Sequence, residues 1–241
     1  MIEDSANNHD RQKFMASVRP YRGDYRIGLL LVCCLLLAGG CASLSELSQP
    51  DLGIEYYSID IEPPAATAET IPGVLRFRQF TTGPLYNTKA IIYRTREFQT
   101  DEYVYHRWHA APADMTADSL YRAIRESGLF QVVFGPESLN PADYCLDGHL
   151  ETFLENDTVS PWQAELALVV TLIDPSANEP RQQILMQKRY TATEPCLRDN
   201  PRALAEAMSR ALGTVAAEII VDITDRLAEV ENQSGTDLSP E

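Results

Sequence analysis

"WQAELALVVTLIDPSANEPRQQILMQKRYTAT", residues 162–193, joins two runs rich in Val, Ile, Leu and Thr across the breaker "PSANEP". Strand-forming residues on either side of a Pro- and Asn-containing turn predict a hairpin of two long antiparallel strands, 162–174 and 182–193. Just upstream, "YCLDGHLETFLE" at 144–155 alternates with period two. Tyr144, Leu146, Gly148, Leu150 and Leu154 share one face, and Cys145, Asp147, His149 and Glu151 share the other, as in a strand buried on one side. These three segments form the centre of a sheet.

Working outward, "IEYYSIDI" at 54–61 and "VLRFRQF" at 74–80 read as strands, separated by the breaker "EPPAATAETIPG". Residues 90–108 read as a second hairpin, with "FQTDE" at 98–102 as its turn. "QVVF" at 131–134 reads as a short buried strand. Two helices complete the pattern. The first spans "PADMTADSLYRAIRESGLF", with Asp114 as N-cap, an apolar stripe of Met115, Leu120, Tyr121 and Ile124, and Gly128 as its stop. The second is capped by Asn200 and begins at Pro201. Leu204, Met208, Ala211, Val215, Ile219, Ile223 and Leu227 recur along it every three or four residues, and Gly213 within it suggests a close backbone approach. Strands, a helix, more strands and a closing helix predict an α+β (mixed α/β) fold: one mixed or antiparallel sheet with two main helices on one face. That domain spans 54–230, and 231–241 reads as a disordered tail.

The first 40 residues have a different character. Arg11, Lys13, Arg19, Arg22 and Arg26 precede an apolar run from Ile27 to Ala38, followed by Gly39, Gly40 and Cys41. Twelve apolar or small residues are too few to span a bilayer core, which needs about twenty. Basic, then apolar, then small is the order of a secretory signal, with Met1 or Met15 as its start. The leader's five basic and four acidic residues come out of totals of 20 Lys and Arg and 35 Asp and Glu, leaving 15 and 31, a net charge of −16. Such a surface repels nucleic acid and anionic headgroups, so attachment to a membrane must come from a lipid.

The stretch "LAGGC" resembles the lipobox of bacterial lipoproteins, in which the cysteine is diacylated after cleavage. Here that residue is Cys41, although Ala38 stands where Leu is usual. The resemblance implies a signal peptide at 1–40, a lipidated (palmitate-type) Cys41, and a flexible tether at 41–53. Because Ala42 rather than Asp follows, it favours the periplasmic face of the cell outer membrane. In that oxidising compartment Cys145 and Cys196 are the remaining thiols, and they are expected to form a disulfide contributing about 4 kcal/mol.

"YYSIDI", "LYNTKAIIYRTREFQTDEYVYHRWHAAPADM", "DSLYRAIRESGLFQVV" and "DYCLDGHLETFLE", with the closing helix, together resemble the ABC-type transport auxiliary lipoproteins, the PqiC-like group. The most specific piece is Tyr105, Trp108 and Pro112, followed by a helix and "SGLF". The resemblance covers about 54–228 and implies a non-catalytic accessory of an intermembrane lipid transport system. Its implied partners are an MCE-domain protein and ABC or permease components, and self-association stays open. An assembly factor or plug for an outer-membrane barrel or lipopolysaccharide exporter is the alternative role, and a lipid-anchored hydrolase is a remote third.

No catalytic residue, cofactor or metal is expected. His106 and His109 lack further ligands, His149 and Glu151 lack a nucleophile, and Ser58 and Asp60 stand in no nucleophile elbow. There is no phosphate-binding glycine motif. Tyr93, Tyr103, Tyr105 and Trp108 gather on one hairpin. They read either as a partner- or lipid-facing patch or, more in keeping with aromatic residues generally, as filling between the sheet and the first helix.

Overall fold

The computed structural model describes residues 53–67, 70–177, 179 and 183–236. The leader, Cys41, the tether as far as residue 52 and the last five residues lie outside the described residues.

In chain order the elements are β1 (Glu55–Tyr57), β2 (Ile71–Phe77), β3 (Thr81–Thr82), β4 (Ala90–Arg96), β5 (Gln99–Trp108), α1 (Pro112–Ser127), β6 (Phe130–Phe134), β7 (Tyr144–Asn156), β8 (Gln163–Ile173), β9 (Ile184–Pro195) and α2 (Pro201–Thr236). The architecture is the expected α+β one, a curled mixed sheet with the helices against it. β7, β8 and β9 form an antiparallel meander in long register. On its other edge β7 is parallel to three strands in succession: β2 at its start, β3 in its middle and β4 at its end. β6 continues from β2, while β5 and then β1 continue from β4.

Alternation explains β8, where Ala164, Leu166, Leu168, Val170 and Leu172 are all buried. Helix α2 lays Leu204, Met208, Val215, Ile219 and Ile223 into the same core. Its start is capped as expected, Ala203 N–H donating to Asn200 Oδ1 at 2.9 Å. Tyr190 Oη and Lys188 Nζ both donate to Asp222 Oδ2, at 2.7 and 2.6 Å, which fixes the helix over β9. Gly148 serves close approach: a Cβ there would run into the ring of Phe80, which stacks on Phe77.

Several local expectations change. α1 starts on Pro112 with Ala111 as an N-cap lacking a side-chain bond, so Asp114 sits inside the first turn. Gly128 does end that helix, at φ 71°. The β4–β5 turn is Glu97–Phe98, ahead of the expected 98–102. Segment 54–61 is a strand only at 55–57, β6 is largely exposed, and α2 continues to Thr236 rather than ending at 230. Nothing among the described residues approaches Gly213 closely.

The expected disulfide does not form: Cys145 and Cys196 are both free and buried. Cys145 pairs with Ile173 at the end of β8, whereas Cys196 N–H donates to Trp162 O, just ahead of the start of β8. Ten residues of strand separate these places, about 33 Å, and a disulfide needs its Cα atoms within about 7 Å.

Candidate functional site

The aromatic hairpin divides between core and surface. Trp108 is fully buried, its ring meeting Phe153 edge-on at 5.3 Å, so it belongs to no surface patch. Its place at the end of a strand that enters the core explains the correction. Tyr105 and Val104 face outward. Between Glu102 and Arg107 lies an irregularity the alternation does not reveal. Ala90 pairs with Arg107 but Ile92 with Glu102, so β5 carries extra residues between two closely spaced β4 partners. The bulge brings Tyr103 and His106 onto one face, with ring centroids 5.7 Å apart. Tyr93 extends the row beyond Tyr103 at 4.8 Å, and Tyr57 extends it beyond His106 at 5.8 Å.

The row ends over a pair of acids at the end of β7. Glu155 is fully buried and accepts a 2.6 Å hydrogen bond from Tyr103 Oη at Oε1. Its Oε2 and Asp157 Oδ1 are buried without a donor. Two ionised carboxylates could not remain so, but one shared proton makes each the partner of the other. Burial, reinforced by Asp157 and Asp199 against the pull of the Tyr103 bond, pushes Glu155 up to about 8. Burial and Asp199 also raise Asp157, which the bond to Glu155 partly offsets. Burial and then the Glu155 charge lift the nearby Cys196 thiol to about 11, making it a poor nucleophile. Burial therefore favours a proton kept by the pair to a higher pH than free carboxylates keep one. Nothing among the described residues gathers three potential ligands around a metal.

Sequence reasoning missed this pair. The available signal was Glu155 and Asp157 two residues apart, on one strand face, directly after the apolar Phe153 and Leu154.

Segment 58–63 lies between the two helices, pegged by buried Ile59. Asp60 N–H donates to Ser209 Oγ of α2 at 3.1 Å, and Asp60 Oδ1 is 3.8 Å from Arg122 of α1. On the α2 side runs an open groove of about 940 Å³ lined by Tyr56, Asp60, Glu62, Arg202, Glu206 and Arg210. Its mixed charges suit polar contact.

The sequence that builds this fold matches a known family profile across residues 57–220, described as the ABC-type transport auxiliary lipoprotein component. The chain belongs to that family. Solved structures share the fold. Protein XCC0632 from Xanthomonas campestris, of the DUF330 family, is 20% identical, with a TM-score of 0.65 over 73% of this chain and 99% of its own. An uncharacterized protein is 11% identical, with a TM-score of 0.57 over 71% of this chain and 99% of its own. No curated protein sequence matches. Among the described residues no helix is long and apolar enough to cross a membrane.

Of the residues singled out from the sequence of this auxiliary lipoprotein, Tyr93, Tyr103 and His106 come together. Tyr105 and Trp108 point elsewhere, and His149 pairs with Thr81 Oγ1 at 2.8 Å on the open face of the sheet. Cys41 lies outside the described residues.

Proposed function

We propose that this chain is a non-catalytic accessory of an envelope ABC transport system, anchored by acyl chains on Cys41 to the periplasmic face of the outer membrane. Its partners are an MCE-domain protein and the ABC or permease components of a lipid-transporting assembly. The observation that carries the reading is the family match over 57–220 in a chain whose "LAGGC" stands only a short tether ahead of the domain. The open groove beside α2 supports an accessory role, because Asp60, Glu62, Arg202, Glu206 and Arg210 along its walls offer charged contacts to a protein partner.

The test is purification of the full chain from solubilised membranes of its own cells, with mass spectrometry of the N-terminal peptide and of copurifying proteins. Diacylglycerol on Cys41 and an MCE-domain partner are expected. A barrel protein in place of the MCE partner sinks the transport role, and an unmodified Cys41 sinks the anchor.

A further inference from the structure

Scattered exposed apolar side chains are ordinary, but several on adjacent loop tips are not. Three loops meet at the Glu155 end of the sheet: Glu97–Phe98 between β4 and β5, 157–162 between β7 and β8, and 196–200 between β9 and α2. The ladder sets them side by side, since Arg94 pairs with Asn156, Asn156 with Gln163, and Gln163 with Pro195. At the usual spacing of neighbouring strands they span about 15 Å. Each carries an exposed apolar residue: Phe98 at 97%, Val159 at 40% and Leu197 at 75%. Phe98 also holds φ at 62°, which costs a bulky aromatic more than it costs Gly or Asn. A ring so exposed on strained backbone adds nothing to the core, so its use lies outside the domain.

Three observations say what covers this end. The first is charge: exposed Arg96 and Arg198 offset Glu97 and Asp199, so that among the loop tips the half-buried Asp157 alone is left over in a strongly acidic chain. The far end also exposes Leu139, at 95%, but its loops carry Glu137, Asp143, Asp174 and Glu179 against Arg181 alone, an acidic excess that an anionic surface repels. The second is the direction of the chain. β1 runs parallel to β5, with Glu55 opposite His106. Gly53, where the described chain begins, therefore lies on the side of β1 that faces the start of β5 and Phe98, and the twelve residue steps from Cys41 to Gly53 reach at most about 40 Å. The third is size. A patch about 15 Å across covers roughly 200 Å², far below the ~800 Å² per partner of a specific protein interface. Three apolar tips of this extent suit a phospholipid interface, where an aromatic ring settles at headgroup depth.

We infer that Phe98, Val159 and Leu197 form a face that rests on the phospholipid surface to which the chain is tethered, with Phe98 inserted at headgroup depth. This rests on the reading of Cys41 as the anchor.

The test uses the full, natively acylated chain in phosphatidylethanolamine and phosphatidylglycerol vesicles. Phe98→Cys, Leu197→Cys and, as the far-end control, Leu139→Cys each carry an environment-sensitive fluorophore; Cys145 and Cys196 are buried and stay unlabelled. Lipids spin-labelled near the headgroup should quench the probes at 98 and 197 several-fold more than the probe at 139. Equal quenching at 98 and 139 in chains that float with the vesicles overturns the membrane face and leaves the anchor standing. So does a probe at 98 that is shielded only as protein concentration rises, which assigns the tips to a second copy. Chains that neither float nor carry acyl mass on Cys41 overturn both.

Discussion

The two ends of β7 are built on opposite plans. At its start, side chains tie neighbouring segments together: Asp143 Oδ2 accepts from Val74 N–H at 2.8 Å, and Arg76 Nη1 donates to Asn140 O at 3.1 Å. At its finish, Asn156 Nδ2 and Arg94 Nη1 both donate to Glu165, at 2.6 and 3.0 Å. Yet Glu155 and Asp157 beside them keep two buried oxygens without a donor among the described residues, and burial raises both acids. The first end holds the chain together, and the second holds a titratable charge beneath the exposed loop tips. Satisfied hydrogen bonds make a region indifferent to pH, whereas a buried acid pair ties stability to it.

The largest effect expected from breaking this contrast is on Glu155. Glu155→Ala leaves Tyr103 Oη and Asp157 without their partner and should lower unfolding stability by about 3 kcal/mol at pH 6, read by chemical denaturation. In the wild type the folded state holds a proton on Glu155 that the unfolded chain gives up near its ordinary value of 4.5. That stability is fully present below about pH 4.5 and is lost as pH rises through about 8. Glu155→Gln can accept from Tyr103 and donate to Asp157 without titrating, so its midpoint should stay flat over that window while the wild type falls. A parallel fall in both proteins would show that the pair is not the source.

Between the ends, Gly148→Ala should cost about 2 kcal/mol, because the new methyl meets the ring of Phe80; a thermal midpoint equal to wild type would mean that Phe80 moves aside freely. Asn200→Ala removes the cap of α2 at the Glu155 end and should cost about 1 kcal/mol. Asp143→Ala at the first end should cost about 1 kcal/mol or less, read by chemical denaturation. A loss as large as that of Glu155→Ala would erase the difference between the two ends.

What was legible in the sequence follows the same division. β7, β8 and α2 show through because burial of one face imposes a period on Leu146, Leu150, Leu166, Leu168 and the stripe from Leu204 to Leu227. The β4–β5 turn does not show through, since Phe98 holds the left-handed position that Gly or Asn normally signals. Nor does the bulge in β5, because both of its flanks keep strand-forming residues and only the partner strand reveals the slip. The Cys145–Cys196 pairing failed because counting thiols in a compartment carries no distance. The acid pair went unread because Glu155 looks like any polar strand residue until neighbouring strands cover it.

Segment 53–63 has a mechanical consequence. Force applied at the N-terminus passes first through the three register pairs of β1 with β5, and then through Ile59 and the contacts of Asp60 with Ser209 and Arg122. The long meander of β7, β8 and β9 carries none of that load directly. Under tension the domain has a short sacrificial strand, and behind it a peg between two helices where Ile59 ties the segment to the core.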